Sequence, residues 1–327
     1  MGENSQSLLV LFLICLALAC LDISFFYPKL TTPIKSSPKS AIISRSVQVR
    51  HLYSKPHRQA LHKPYIDTVE RRLIMLDKSA NQNDSDCTHI RKVPKGSMKL
   101  RVLYSYEGSG STWLRYLLEL ASGFHTGSHY RDNDDYMNGF IGEAMDPLDR
   151  TVLLVKNRGP NITRAFPDAA YEEAVILIRD PYEAILSSYF KQLYEDVGYI
   201  DYDLFRTREW MEFVDLESKK WVFGARYSCI TVHPSITVYY EDLVSNTESE
   251  LRRVLTFLNV NASSERMECS LSHSDRVFRK YEGRSEELNI DPYTDGMKKN
   301  INSKIRALRT ALQHHNCGTV PQYEREK

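Results

Sequence analysis

The strongest constraint on this chain is the succession between residues 100 and 121. Leu100-Arg-Val-Leu-Tyr-Ser-Tyr106 alternates as a strand and breaks at Glu107-Gly-Ser-Gly-Ser-Thr112. Trp113, Leu114, Leu117, Leu118 and Ala121 then recur at helical spacing, so a helix follows, capped by Ser111 or a neighbour. A strand, a loop of small residues and a helix aim backbone N–H groups and the positive end of a helix dipole at one point, which suits an anion. Gly108 and Gly110 permit a tight wrap, and Ser109, Ser111 and Thr112 add hydroxyl donors without bulk. A nucleoside triphosphatase loop would end in Gly-Lys-Ser/Thr, and that lysine is absent.

Two more segments place this loop in a sheet. Thr151-Val-Leu-Leu-Val-Lys-Asn157 and Ala174-Val-Ile-Leu-Ile-Arg-Asp180 are continuous apolar runs of strand length, as interior strands of a parallel sheet require. Each ends on a basic residue, and ligands in open α/β sheets sit beyond the carboxyl ends of the strands, so Lys156 and Arg179 should converge on the Gly108 loop. Asp180 and Pro181 read as the N-cap and first turn of a helix over Tyr182–Phe190, with Ser187 on its second turn. A strand-end arginine and a helical serine can grip one phosphate together. Leu251, Val254, Leu255 and Leu258 form a core stripe, so a helix is expected over Glu248–Leu258.

The rest of the chain sets the context. Lys and Arg number 43 against 42 Asp and Glu, a net charge of +1, so there is no electrostatic case for a nucleic-acid partner. Residues 1–7 form a short polar tail, and an apolar run over 8–27 reads as an uncleaved signal-anchor, a cleaved signal peptide being the alternative. The flanking Lys29, Lys35 and Lys39 argue for the opposite orientation to a lumenal C-terminal domain. Residues 28–98, basic and interrupted by Pro33, Pro38, Pro56 and Pro64, read as a stem with a short amphipathic helix near Ile66–Leu76. The compact domain is expected over 99–327. Sequons at Asn83, Asn161 and Asn261, with Cys87, Cys229, Cys269 and Cys317, favour a lumenal, oxidising compartment, their pairing left open and buried thiols equally compatible. No cluster of His, Cys and carboxylates stands at metal-ligand spacing, so no bound metal is expected.

In family order, Ser105-Tyr-Glu-Gly-Ser-Gly-Ser-Thr-Trp-Leu-Arg115, His125-Thr-Gly-Ser128, Val155-Lys156, Leu177-Ile-Arg-Asp-Pro-Tyr182, Val238-Tyr-Tyr-Glu-Asp-Leu243, Phe257-Leu-Asn-Val260 and Asp291-Pro-Tyr-Thr294 resemble the sulfotransferases that use 3′-phosphoadenosine-5′-phosphosulfate (PAPS). Within them the chain is similar to the WSC-domain-containing, sialate O-sulfotransferase-like Golgi branch. The WSC modules themselves are not expected, since the stem holds only Cys87. The resemblance implies a three-layer α/β/α fold with a central parallel sheet, a P-loop-like sulfotransferase fold. It implies PAPS as co-substrate, a carbohydrate hydroxyl as acceptor with sialic acid as the sugar of the nearest branch, and a single-pass type II Golgi membrane protein, secretion after cleavage being the alternative. Gly108, Ser109, Gly110, Ser111, Thr112 and Trp113 would form the 5′-phosphosulfate loop, with Trp113 bordering the adenine. Arg179 and Ser187 would hold the 3′-phosphate, Tyr240, closing a strand over Ile236–Tyr240, would lie near the nucleotide, and Arg279 would belong to a segment closing over the 3′-phosphate. Lys156 would stabilise charge on the transferring group.

Two departures stand out. The family's cytosolic members carry a lysine in the loop where this chain has Gly108, and they read Lys-Thr-His at the second strand end where this chain reads Lys156-Asn157-Arg158. Arginine cannot act as a general base, which leaves Glu107, His125, His129 and Glu143 as candidates, or else a pseudoenzyme that binds nucleotide or glycan without transfer. His129-Tyr-Arg-Asp-Asn-Asp-Asp-Tyr136 is polar and aromatic, as an acceptor-binding loop or an ordinary solvated loop would be.

Overall fold

The computed structural model describes Cys87 and residues 89–158, 171–196, 202–273 and 290–326. The apolar run over 8–27, nearly all of the stem with its helix near Ile66–Leu76, Asn83, Asn161 and Arg279 lie outside the described residues. Among the described residues no helix is long and apolar enough to cross a membrane.

Five parallel strands form one sheet in the order β2-β3-β1-β4-β5: β1 Arg101–Ser105, β2 Gly127–Ser128, β3 Val155–Asn157, β4 Glu173–Ile178 and β5 Ser235–Tyr239. The helices are α1 Ser111–Ser122, α2 Asn133–Met137, α3 Pro181–Asp196, α4 Arg208–Thr231, α5 Tyr240–Ser245, α6 Thr247–Phe257, α7 Ser264–Ser272 and α8 Asp295–His314. The sheet is buried on both faces, and its strands divide their side chains by the two-residue period. Val102, Tyr104, Ala174, Ile176 and Ile178 enter a core with residues of α3, α4 and α8. Leu103, Val175, Leu177 and Val238 face the opposite core with residues of α1, α6 and α7. Three layers result, as the resemblance implied.

Several boundaries differ from expectation. The second apolar run pairs as a strand only over Val155–Asn157, the stretch that meets β1 on one side and β2 on the other. The β5 strand stops at Tyr239, and Tyr240 opens α5 rather than closing the strand. The domain also reaches back past Lys99. Cys87 is bonded to Cys269, Arg91 donates its N–H to Gly123, and Met98 to Arg150, so residues that composition placed in the stem are fastened to the domain. A second disulfide joins Cys229 at the end of α4 to Cys317 beyond α8, so all four downstream cysteines are paired and the buried-thiol alternative falls.

Candidate active site

The β1–α1 loop is shaped by two close approaches. Gly108 has φ 77° and Gly110 φ 89°, conformations that L side chains avoid. A Cβ on Gly108 would lie 2.7 Å from the Ala184 carbonyl oxygen and 3.2 Å from Ser187 Oγ, so the loop rests directly on α3. A Cβ on Gly110 would lie 2.6 Å from a ring carbon of Tyr240. Gly110, the neighbour of Ser111, is the N-cap of α1, and no side chain caps that helix. The first-turn donors of α1 are therefore left to the loop. Ser109 is 1% exposed, and its hydroxyl has no hydrogen-bond partner among the described residues. Buried hydroxyls are ordinarily satisfied, and an anion held in this loop would satisfy this one. The loop thus fits a phosphosulfate or phosphate group.

Arg179, Tyr240 and Trp113 complete one cluster with the loop. Asp180 Oδ1 accepts from Tyr182 N at 2.8 Å, the N-cap expected there, and this turn carries Arg179. Arg179 Nη1 donates to the Gly108 carbonyl at 2.7 Å, and its guanidinium lies 4.5 Å from the centroid of the Tyr240 ring. The Arg179 carbonyl accepts from Trp221 Nε1 at 3.1 Å. Trp113 meets Tyr240 edge to face, with ring centroids 6.0 Å apart. Trp113, which the resemblance set beside the adenine, is wholly buried and packs with the core stripe of α1 read from its spacing. It supports Tyr240 from behind. Loop, Arg179, Ser187 and Tyr240 are brought together as the sequence suggested, and Arg279 lies outside the described residues.

A second cluster stands at the end of β3. Lys156 is fully buried and donates to Asp135 Oδ2, and Arg115 Nη1 lies 3.5 Å from the same oxygen. Burial, helped by Arg115 and Arg158, lowers the Lys156 pKa to about 8 against the opposing pull of Asp135. Burial opposes ionisation of Asp135, but Lys156, Arg115 and Arg158 outweigh it and hold the carboxyl below its usual range. Asp135 is therefore a carboxylate at neutral pH. The exposed rings of Tyr130 and Tyr136 belong to the same segment.

Among the described residues Lys156 Nζ pairs with Asp135 and with none of the four base candidates read from the sequence. Glu107 is held at 3.3 Å by both Arg158 and Lys191. Glu143 is 1% exposed, bonded to Arg115 at 2.6 Å and to the Asp132 N–H at 2.9 Å, a structural role. Burial lowers His125 and His129 to about 4, with Lys92 adding to the effect at His125, and His129 Nε2 is bonded to the Tyr171 hydroxyl at 3.1 Å. Asp135 was missed because nothing in Asp132-Asn-Asp-Asp135 separates it from its neighbours. Only the register Ser128↔Lys156, which brings the segment after β2 over the end of β3, singles it out. Cys87, Cys269 and His273 are the one group of metal-ligating types within mutual reach among the described residues, and the two sulfurs are spent on each other in the disulfide.

Residues 157–264 match the model of the Sulfotransferase family. A WSCD family member of Drosophila pseudoobscura pseudoobscura is 32% identical over 222 residues, covering 67% of this chain and 68% of that protein. The chain belongs to the WSCD family. Another member, from Drosophila melanogaster, is 34% identical over 213 residues, covering 64% of this chain and 65% of its own length, so the chain spans just under two thirds of that relative. Among solved structures, a mouse sulfotransferase complexed with PAP is 15% identical with a TM-score of 0.45, covering 68% of this chain and 89% of that one. The sulfotransferase domain from the curacin biosynthetic pathway is 16% identical with a TM-score of 0.40, covering 67% and 98%.

Proposed function

We propose that this WSCD family protein transfers the sulfuryl group of PAPS to a hydroxyl of a glycan, sialic acid being the sugar to test first. The observation that carries the reading is the Lys156–Asp135 pair at the end of β3, beside the strand that feeds the glycine loop. It supplies a cation and a proton acceptor where Asn157-Arg158 had suggested that a base was missing. When bound, PAPS would supply the activated sulfuryl group. The loop from Gly108 to Thr112 would hold its 5′-phosphosulfate by backbone N–H groups and the Ser109 hydroxyl, and Arg179 with Ser187 would hold the 3′-phosphate. The Lys156 ammonium would stabilise negative charge on the group in transit, and Asp135 Oδ2 would take the proton of the acceptor hydroxyl. Exposed Tyr130 and Tyr136 offer aromatic faces to a sugar.

For the setting, we propose a single-pass type II protein of the Golgi membrane, its catalytic domain lumenal and anchored through residues 8–27. The two disulfides and the exposed sequon asparagine Asn261 support an oxidising, glycosylating compartment. A non-catalytic nucleotide- or glycan-binding protein is the second reading. It is favoured by Arg158, which is tied to Glu107 and leaves the strand end itself without a base. Incubation of the purified full chain with radiolabelled PAPS and a glycan panel separates the two. Transfer that Asp135→Asn lowers by about 10²–10⁴-fold, with PAP affinity unchanged, supports the enzyme and its base. Nucleotide binding without transfer to any acceptor supports the second reading.

A further inference from the structure

We propose that the C-terminal strap from Cys317 to Arg325 is a positioning element of the nucleotide site, with Tyr323 and Arg325 setting the two turns that carry Arg179 and Tyr240. The inference rests on the PAPS reading of that site. The strap leaves the Cys229–Cys317 disulfide and runs along β5, where Thr237 Oγ1 donates to the Cys317 carbonyl at 2.5 Å and the Thr319 N–H donates to the Tyr239 hydroxyl at 3.2 Å. Arg309 of α8 holds its middle, donating to the Val320 carbonyl at 2.9 Å, the Pro321 carbonyl at 2.8 Å and both oxygens of Glu324 at 2.7 and 2.8 Å. Asn302 Nδ2 holds its end through the Arg325 carbonyl at 2.9 Å. A segment bound at so many points has little freedom left.

Its two functional contacts fall on the chain neighbours of Arg179 and Tyr240. The Tyr323 hydroxyl donates to Glu241 Oε2 at 2.5 Å, and the other oxygen of Glu241 accepts from the Asp180 N–H at 2.9 Å. Glu241 therefore locks the residue after Tyr240 to the residue after Arg179. Arg325 Nη2 reaches Asp180 Oδ2 at 3.3 Å and Glu183 Oε1 at 2.8 Å, with its guanidinium 4.5 Å from the Tyr182 ring centroid. Two carboxylates, Asp180 and Glu183, stand beside the turn that carries Arg179, and Arg325 is the strap cation that offsets them. Asp180 is buried enough that its pKa rises to about 6 even with Arg325 beside it. Arg325 thus acts on Arg179 by fixing the turn and by removing negative charge from beside the ligand.

The test is calorimetric binding of PAP and of adenosine 5′-monophosphate, which lacks the 3′-phosphate, to the full chain. Arg325→Ala should weaken PAP by about tenfold or more and the monophosphate much less, and Arg325→Lys should restore part of the difference. Tyr323→Phe removes one hydroxyl without disturbing the packing, and it should narrow the PAP preference in the same direction if Arg325→Ala fails to fold. A merely structural role would weaken both nucleotides alike, so an unchanged PAP-to-monophosphate ratio in both variants overturns the proposal. A wild-type chain that binds neither nucleotide overturns the donor reading and this inference with it. PAP binding that both variants retain in full overturns this inference alone.

Discussion

The loop's dependence on Tyr240 can be measured with a pair of glycine substitutions. Gly110 and Gly96 share the left-handed backbone, at φ 89° and φ 80°, but only Gly110 has a neighbour: a Cβ there would meet two Tyr240 ring carbons at 2.6 and 2.7 Å, whereas one on Gly96 would meet nothing within 4 Å. Gly96→Ala should therefore cost only the left-handed strain, about 1–2 kcal/mol. Gly110→Ala carries the same strain and must also push the Tyr240 ring away. That weakens its edge contact with Trp113, worth about 0.5–1.5 kcal/mol, and the Arg179 cation–π contact, worth about 0.5–2 kcal/mol. The expected excess is about 1–3.5 kcal/mol, which thermal melting reads at roughly 2–4 °C per kcal/mol. Arg179, left without its platform, should lose about half of the roughly 2–5 kcal/mol that truncating one partner of a buried charged pair costs, weakening PAP by about five- to seventyfold. Gly96→Ala should bind PAP as wild type does. If Gly110→Ala melts with Gly96→Ala and keeps full PAP affinity, Tyr240 does not hold Arg179 in place, and the cluster is an accident of packing.

Arg179→Ala should weaken PAP by about 2–5 kcal/mol and the 3′-dephosphorylated nucleotide by less, the remainder reflecting its bond to the Gly108 carbonyl; Ser187→Ala should cost about 1.5–3 kcal/mol for PAP alone. Equal losses for both ligands in calorimetry would make Arg179 a loop support only. If Lys156 must be protonated to act, transfer should fall on the alkaline side with an apparent pKa near 8, the value to which burial lowers it. Lys156→Arg, whose charge persists, should carry that limb beyond the measurable range if it remains active, and an unmoved limb would assign it to another group. Serine at Cys229 and Cys317 removes a bridge across a sequence separation of 88 residues and should cost about 4–5 kcal/mol in the chain-entropy account, seen as a lower melting temperature. An unchanged melting temperature would show that the strap is held by its hydrogen bonds without the covalent tie.

What could be read in the sequence was whatever one segment carries by itself. The apolar runs at β1 and β4, the glycine pair and the basic strand ends depend on local pattern, and each lies where that pattern put it. The parts that failed depend on contacts far along the chain. The edge contact of Trp113 with Tyr240 joins two segments that no local pattern connects. Asp135 becomes distinct from Asp134 only once β2 pairs with β3. Tyr323 and Arg325 carry no motif, because their meaning lies in Asp180, Glu183 and Glu241, between 82 and 145 residues away in sequence.

The two departures from the sulfotransferase pattern are linked in space. Replacing the loop lysine by Gly108 removes a cation, and the neighbouring Glu107 adds an anion, a combination that by itself would repel a phosphosulfate. Restoring a lysine at Gly108 is barred by the backbone, since its Cβ would press on the Ala184 carbonyl at 2.7 Å. The charge returns from elsewhere. Arg158, which occupies the strand end where the family places a histidine, reaches Glu107 at 3.3 Å, and Lys191 of α3 reaches the same oxygen at 3.3 Å. Two cations against one carboxylate leave a net positive charge beside the loop. The residue that cost the strand end its base is thus one of two that offset the acid in the loop, and with Arg158 so engaged the proposed proton acceptor is the one that another segment supplies, Asp135 against Lys156. The changes at Gly108, Glu107 and Arg158 form one compensated set, and they are better understood as a rearranged site than as the separate losses of a decaying one.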